Sequence, residues 1–193
     1  MKKVFLFFFC LLALAQAGCV AADPYAIDEK ATVSAPWQVG EITAKGSIFL
    51  EMNHDIHPYS VYRKFLGITK DGAYYLVQEF YSDTDKPYTS PYRLIHAQHV
   101  DQPFYRENAS FFPLHFSPYT SRSGAYTIWY PNGDKAAEIN YWGGWPKGGI
   151  ILWHDNGNKK YQTFPASKNS DAFYFRWDEQ GQLIDSGKGS LYY

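Results

Sequence analysis

The chain has 193 residues, a formal net charge of −1 and 46% hydrophobic residues, which is enough apolar material for the core of one domain. The nearly neutral charge argues against a nucleic-acid-binding protein, and 19% charged residues argue against a protein with several membrane spans and against a disordered chain. Aromatic residues also make up 19% of the sequence, and tyrosine and tryptophan at this density favour β-strands over helices.

Residues 1–22 have the three parts of a bacterial export signal. Lys2 and Lys3 precede an apolar run over residues 4–15, and small residues follow it. The run is too short for a transmembrane helix, which needs about 20 apolar residues. We therefore expect an exported protein, located in the periplasm, at the outer membrane or on the cell surface of a bacterium.

Two kinds of cleavage site fit this signal. Ala17-Gly18-Cys19 resembles the lipobox of bacterial lipoproteins, in which the cysteine is acylated, although Gln16 stands where that motif usually has Leu. Cleavage there removes residues 1–18 and leaves a lipid anchor on Cys19. The alternative is ordinary cleavage after a small-x-small sequence, at Ala17 or at Ala22. Cleavage after Ala22 removes two lysines and no acid, so the charge changes from −1 to −3.

The region that follows the signal is expected to contain a tether and then β-strands. Residues 23–36 are polar, include two prolines and predict the tether. Strand patterns occur at residues 46–52, 61–68 and 73–81, and the sequence Thr-Lys-Asp-Gly at 69–72 predicts a hairpin turn between the last two. Residues 82–123 contain five prolines and predict a long loop with one or two short strands, which is a candidate contact region. We assign residues 37–124 to an N-terminal β region that is continuous with the rest as one domain.

A repeat with a period of 24 residues runs through residues 125–193. Three segments share a tryptophan, an amide side chain three positions later and a glycine after that: residues 129–135, 153–159 and 177–183. Asn-Gly is a strong signal for a hairpin turn because both residues tolerate positive φ. Each repeat is therefore predicted to form two short antiparallel strands, with the tryptophans of successive repeats stacked as an aromatic ladder. An eroded copy begins at Phe80 and has Thr84 in place of the glycine.

This pattern resembles the MORN repeat, and most closely its variant in the bacterial YwqK-type family, whose members often carry an antitoxin label. The residues that carry the resemblance are Trp129, Asn132, Gly133, Lys135, Glu138, Tyr141 and Gly148 in the first copy, Trp153, Asn156, Gly157 and Lys159 in the second, and Trp177 and Gly181 in the third. The resemblance covers residues 125–187. It implies an all-β fold of antiparallel hairpins in an elongated single sheet, and a role as a scaffold or recognition surface.

The sequence contains no pattern that we interpret as a catalytic, cofactor or metal site. The motifs of serine nucleophiles, zinc peptidases and phosphate-binding loops are absent. Both cysteines, Cys10 and Cys19, lie in the signal region. The sequences His54-x-x-His57 and His96-x-x-His99 do not look helical, and residues three apart on a strand face opposite sides. We predict that the protein is not an enzyme and binds neither a metal nor a cofactor.

The candidate binding residues are Tyr141, Trp142 and Trp145, since the two tryptophans fall in a glycine-rich turn where large side chains are hard to bury. The leading hypothesis is a protein-interaction scaffold of the cell envelope that touches the membrane only through a lipid on Cys19. One alternative is a module that binds glycan or peptidoglycan. Another is an immunity or antitoxin protein, which only the family label suggests.

Overall fold

The computed structural model describes residues 23, 25–27, 35–104, 122–164 and 172–189. The export signal, its two cysteines, most of the predicted tether and part of the predicted long loop lie outside the described residues, so the predictions for them stay predictions. Within these described ranges no helix is long and apolar enough to cross a membrane.

The described residues form one open antiparallel sheet of eleven strands, with one short 3-10 helix (Ala97–His99) and no α-helix among them. The prediction of an all-β fold with antiparallel hairpins in an elongated single sheet is confirmed. The strands are β1 (Ile42–Met52), β2 (Asp55–Ile68), β3 (Tyr75–Tyr81), β4 (Tyr92–Leu94), β5 (Arg122–Trp129), β6 (Lys135–Trp142), β7 (Trp145–Pro146), β8 (Ile151–Trp153), β9 (Lys159–Phe164), β10 (Phe173–Trp177) and β11 (Leu183–Lys188). They lie in chain order across the sheet, except that β7 pairs only with the end of β6.

The turns lie at two opposite ends of the sheet because successive strands are antiparallel. We call one of these the upper end, and it contains the turns at residues 53–54, 82–86, 130–134, 154–158 and 178–182. The lower end contains the turns at residues 69–74 and 143–144. β4 pairs with β5, so the sheet is continuous between the N-terminal region and the repeats.

The core lies on one face of the sheet, which we call the inner face. Leu50 and Val61 of the β1–β2 hairpin belong to the same buried cluster as Ile128, Leu152 and Tyr161 of the later strands. Only the lower part of β2 pairs with β3, while the tip of the β1–β2 hairpin reaches the upper turns of the repeats. The hairpin therefore folds across the inner face and covers it.

The three predicted Asn-Gly-type turns have the same backbone geometry. The N–H of Tyr130 donates to the carbonyl of Asp134 at 2.8 Å, and the equivalent bonds in the next two turns measure 2.8 and 2.9 Å. Gly133, Gly157 and Gly181 all have positive φ, between 78° and 100°. This conformation is costly for residues that have a Cβ, which explains the glycine at each turn.

The copy that begins at Phe80 has a longer turn than predicted. The N–H of Tyr81 donates to the carbonyl of Lys86, one residue further along than in the repeats. The residue with positive φ is Asp85, at 55°. The prediction that Thr84 replaces the glycine is therefore wrong, because one inserted residue shifts the left-handed position by one.

Candidate functional site

Side chains of the upper turns connect each repeat to the next. The hydroxyl of Tyr130 donates to the carbonyl of Trp153 at 2.9 Å, and a ring nitrogen of His154 lies 3.0 Å from the carbonyl of Trp177. The side-chain amides of Asn132 and Asn156 donate to carbonyls one repeat further on, each at 2.9 Å. These residues therefore have a structural role: they satisfy carbonyl groups that strand pairing leaves open at the sheet end.

The tryptophans take part in this ladder differently from the prediction. Among the described residues, no ring contact joins two of the three repeat tryptophans. Instead, the ammonium of Lys135 lies 5.1 Å from the ring centre of Trp153, and that of Lys159 lies 5.4 Å from the ring centre of Trp177. The lysine of one repeat covers the indole of the next through a cation–π contact.

The ladder ends at Asp178, which occupies the position of Tyr130 and His154. Its carboxylate accepts the backbone N–H groups of Gln180 and Gln182, in its own turn, at 3.0 and 2.7 Å. Beyond it, β11 pairs only with β10 among the described strands. The last repeat therefore closes its own turn, and β11 is the last strand of the sheet within the described part of the chain.

A cleft of about 720 Å³ lies between the tip of the β1–β2 hairpin and the last repeats, and we call it the terminal cleft. Its lining combines aromatic side chains with charges of both signs: Glu51, His54, His154, Lys160, Tyr161, Arg176, Trp177, Asp178, Glu179, Gln180 and Ile184. Three contacts fix the hairpin tip above it. Lys160 pairs with Glu51 at 2.9 Å, His54 contacts Glu179 at 3.1 Å, and the N–H of Asn53 donates to Asp155 at 3.0 Å.

The terminal cleft exists because the inner face changes character in the third repeat. In each repeat, one of the cross-strand pairs on this face consists of the residue before the tryptophan and the residue eight positions after the tryptophan. These pairs are Ile128 with Ala137, Leu152 with Tyr161, and Arg176 with Asp185. The first two pairs are apolar or aromatic and buried, whereas Arg176 and Asp185 are partly exposed and lie 3.6 Å apart.

The two predicted binding tryptophans lie at the lower end of the sheet. Trp142 and Trp145 face each other across a two-residue turn, and their exposed fractions are 67% and 62%. Gly143 and Gly144 both have positive φ, as a turn of this length favours. Tyr141 is only 2% exposed, so the structure does not bring it to the surface with the tryptophans.

Tyr141 belongs to a buried charged cluster in the middle of the sheet. Arg63 donates to Glu79 at 2.7 Å, and the hydroxyl of Tyr92 donates to the same carboxylate oxygen at 2.6 Å. The guanidinium of Arg122 lies 4.9 Å from the ring centre of Tyr126 and 5.8 Å from that of Tyr141. Arg63 thus pairs directly with Glu79, whose carboxylate also attracts Arg122 through space. Coulomb attraction and cation–π contacts offset part of the desolvation of the two arginines.

The two histidine pairs lie in different surroundings. His54 lies at the hairpin tip, where it contacts Glu179. His96 immediately precedes the short 3-10 helix and His99 is its last residue, with ring centres 5.7 Å apart, so the expectation of a non-helical segment is wrong there. Burial lowers the pKa of His99. The nearby His96 and Arg63 lower this pKa further, which favours the neutral form of His99. Among the described residues, no three His, Cys, Asp or Glu side chains come together as a metal site would require.

The terminal cleft was missed by sequence reasoning, although the sequence contains a signal for it. Arg176 and Asp185 stand at the repeat positions where the earlier copies have apolar or aromatic residues. What the repeat cannot indicate is that the β1–β2 hairpin closes the cleft from above.

No protein-family model, curated protein or solved structure is similar enough to this chain to count as a match.

Proposed function

We propose that the protein is a non-enzymatic, exported scaffold of the bacterial cell envelope, with or without a lipid on Cys19, that receives a segment of a partner protein in the terminal cleft. The observation that carries this proposal is the charged pair Arg176–Asp185 at inner-face positions that are buried in the two preceding repeats. A charged pair adds little to stability when it is partly exposed, so its presence in place of an apolar pair favours a binding role.

The chemistry of the cleft suits an extended peptide better than a small apolar ligand. Aromatic side chains and charges of both signs line it, so a segment with basic and acidic side chains can pair with charges of either sign. The edge of β11 runs beside the cleft, and Leu183 and Ile184 of this strand are exposed. A strand at the end of a sheet can bind an extended segment by strand addition, while the adjacent cleft receives alternate side chains.

Site-specific photo-cross-linking in living cells tests the proposal. A photoreactive phenylalanine at Gln180, which lines the cleft, should give a discrete protein adduct. The same residue at Val39, which is exposed away from the cleft, is the positional control. The double substitution Arg176→Leu with Asp185→Tyr introduces the pair of the preceding repeat, so it should preserve folding, fill the cleft and remove the adduct.

Two outcomes of the cross-linking experiment would contradict binding in the terminal cleft. An adduct that forms equally from position 39, or that persists in the Arg176→Leu/Asp185→Tyr variant with its folding intact, would show that the terminal cleft is not the binding surface. The thermal unfolding midpoint of the double variant checks that the loss of an adduct does not come from unfolding.

A further inference from the structure

Four exposed aromatic side chains lie on the outer face of the sheet, which is the face opposite the inner face. Besides Trp142 and Trp145, they include Phe164 and Phe173, and within the described ranges no other tyrosine, phenylalanine or tryptophan is exposed. Trp142 and Trp145 are a cross-strand pair, so their side chains share a face. The strand neighbours of Trp142, Phe164 and Phe173 belong to the inner face, and alternation therefore directs these three outward: Tyr141, Thr163 and Tyr174.

The four residues occupy successive strand positions across the lower part of the outer face. Trp142 ends β6, and Trp145 lies in β7, which pairs with β6 below the point where β8 pairs with it. Phe164 ends β9 and pairs with Phe173, the first residue of β10. Neighbouring strands lie about 4.8 Å apart, so the row from β6 to β10 spans about 14 Å. We call these four side chains the aromatic track.

The aromatic track is held in place by the sheet. The N–H of Gly144, in the turn between the two tryptophans, donates to the carbonyl of Arg122 at 2.9 Å. The ring of Phe164 contacts the ring of Phe175 edge to face, with centres 5.9 Å apart. A ligand therefore meets rings that are already in position, and its binding does not have to order a flexible segment.

Lysines lie at both ends of the aromatic track. The ammonium of Lys147 lies 4.9 Å from the ring centre of Trp142, and Lys188 of β11 is the register partner of Phe173. Among the described residues between 140 and 188, every carboxylate lies elsewhere, at an upper turn or on the inner face: Asp155, Asp178, Glu179 and Asp185. The track is therefore an aromatic surface with positive charge, complementary to an extended ligand that carries carboxylates.

We infer that the aromatic track binds the glycan strand of peptidoglycan, an extended β-linked polysaccharide that carries carboxylates. A sugar ring in such a strand presents C–H groups on its faces and polar groups around its rim. The negative face of an aromatic ring attracts these C–H groups, so successive sugar rings can pack on successive aromatic side chains. Lys147 pairs with a carboxylate of the ligand, and the exposed amide of Asn140, on the same face as Trp142, bonds to a sugar hydroxyl.

This inference goes beyond the proposed function. It shares with that proposal the location in the cell envelope, where an exported protein meets peptidoglycan, but it does not depend on the terminal cleft. The two sites lie at opposite ends and on opposite faces of the sheet, so one protein could hold the glycan and a partner segment at the same time.

Co-sedimentation with purified peptidoglycan sacculi tests the inference. Sacculi that have been boiled in detergent and treated with protease contain no protein partner, so retention measures contact with the polymer itself. The protein, purified from cells as they process it, should be retained on sacculi. Chitin is a neutral polysaccharide with the same linkage, and at low salt the protein should bind it about fivefold more weakly because the lysines have no carboxylate to pair with.

Substitutions at the two ends of the aromatic track should both weaken retention. Trp142→Ala with Trp145→Ala should weaken binding to sacculi about tenfold or more, and Phe173→Ala, at the other end, about threefold. The matched control is Leu183→Ala, which removes an exposed apolar side chain from the upper part of the same face and should leave retention unchanged. The thermal unfolding midpoint of each variant checks that it is folded.

Two further variants separate the role of charge and the role of the cleft. Lys147→Gln should weaken binding to sacculi at least about twofold and leave binding to chitin unchanged. The cleft variant Arg176→Leu/Asp185→Tyr should bind sacculi like the wild type, so failure of this inference and failure of the proposed function are distinguishable.

Three results would overturn the inference. The first is that folded wild-type protein is not retained on sacculi. The second is equal binding to sacculi and chitin, which would exclude recognition of the carboxylates. The third is unchanged retention of the Phe173→Ala variant, or a loss in Leu183→Ala as large as in the double tryptophan variant, since either would show that the ligand does not follow the aromatic track.

Discussion

The N-terminal strands β1–β4 and the repeat strands β5–β11 belong to one sheet, yet their charged groups are placed differently. In the N-terminal part Arg63 and Glu79 are buried and pair in the interior. Apart from Arg122 of β5, which is part of the same buried cluster, the described charges of the repeat strands lie at turns and partly exposed positions, as in the pair Lys135–Glu138. The repeats rely on contacts that recur every 24 residues, such as that of Tyr130 with Trp153, whereas the N-terminal part relies on one buried cluster that does not recur.

The largest effect should come from breaking the buried pair. Glu79→Gln leaves Arg63 and Arg122 without the carboxylate, so the free energy of unfolding should fall by about 3–5 kcal/mol. The matched control is Glu138→Gln, which breaks the partly exposed pair with Lys135 and should cost less than about 1 kcal/mol. Urea unfolding of both variants measures the difference. Equal losses would mean that the two regions do not differ in the way that burial indicates.

Alkaline pH should destabilise the protein through its buried tyrosines. Burial raises the pKa of Tyr62 to about 12, and a hydrogen bond to Asp85 adds to the shift. Burial also raises the pKa of Tyr81, Tyr92, Tyr126 and Tyr130. In the unfolded chain these groups ionise near pH 10. Because the folded protein holds the protons more tightly, their stabilising contribution is complete below pH 10 and is lost as the pH rises through 12.

For Tyr62 alone this loss amounts to about 2–3 kcal/mol across that window. Urea unfolding midpoints between pH 9 and 11.5 measure it, and Tyr62→Phe should make the decline shallower. Tyrosinate absorbance follows ionisation in the folded state. Full ionisation of all tyrosines near pH 10 without unfolding would contradict the burial that these shifts require.

An intermediate effect is expected where the N-terminal segment packs on the sheet. Gly67 has φ of 139°, and a Cβ there would come within 2.7 Å of the side chain of Ile27. Gly67→Ala should therefore cost about 2 kcal/mol and loosen residues 25–27. Gly72→Ala is the matched control, since Gly72 also has positive φ but no atom within 4 Å of the added carbon. Hydrogen exchange at Lys70, whose N–H bonds to Ala26, should rise only in the first variant.

The sequence predicts the repeats well because their determinants are local. Asn132-Gly133 and its equivalents specify turn type, and turn type fixes the pairing of the flanking strands. The exposure of Trp142 and Trp145 follows from the same logic, because a two-residue glycine turn leaves no room to bury its neighbours. The terminal cleft depends on contacts between residues that are more than 100 positions apart in the sequence, such as Lys160 with Glu51. A periodic pattern does not predict such contacts.

The buried location of Tyr141 could not be read from the sequence for a related reason. Its neighbour Trp142 is exposed, and alternation along a strand places the two on opposite faces, but the pattern does not say which face is covered. The cover comes from the N-terminal part, through Arg122 and the residues packed around it. The short strand β4 lies in the stretch 82–123, where the sequence predicts a long loop with one or two short strands without indicating their positions.

The smallest predicted effect concerns the hydrogen bonds between successive upper turns. It tests whether each bond contributes independently to the free energy of unfolding. Tyr130→Phe removes the hydroxyl that donates to Trp153, and Tyr81→Phe removes the equivalent bond to Trp129, where the N-terminal part meets the repeats. Each should lower the free energy of unfolding by about 1 kcal/mol. If the repeats are stabilised locally, the double variant should show the sum of the two losses to within about 0.5 kcal/mol. A larger combined loss would mean that the repeats and the N-terminal strands depend on each other for their folding.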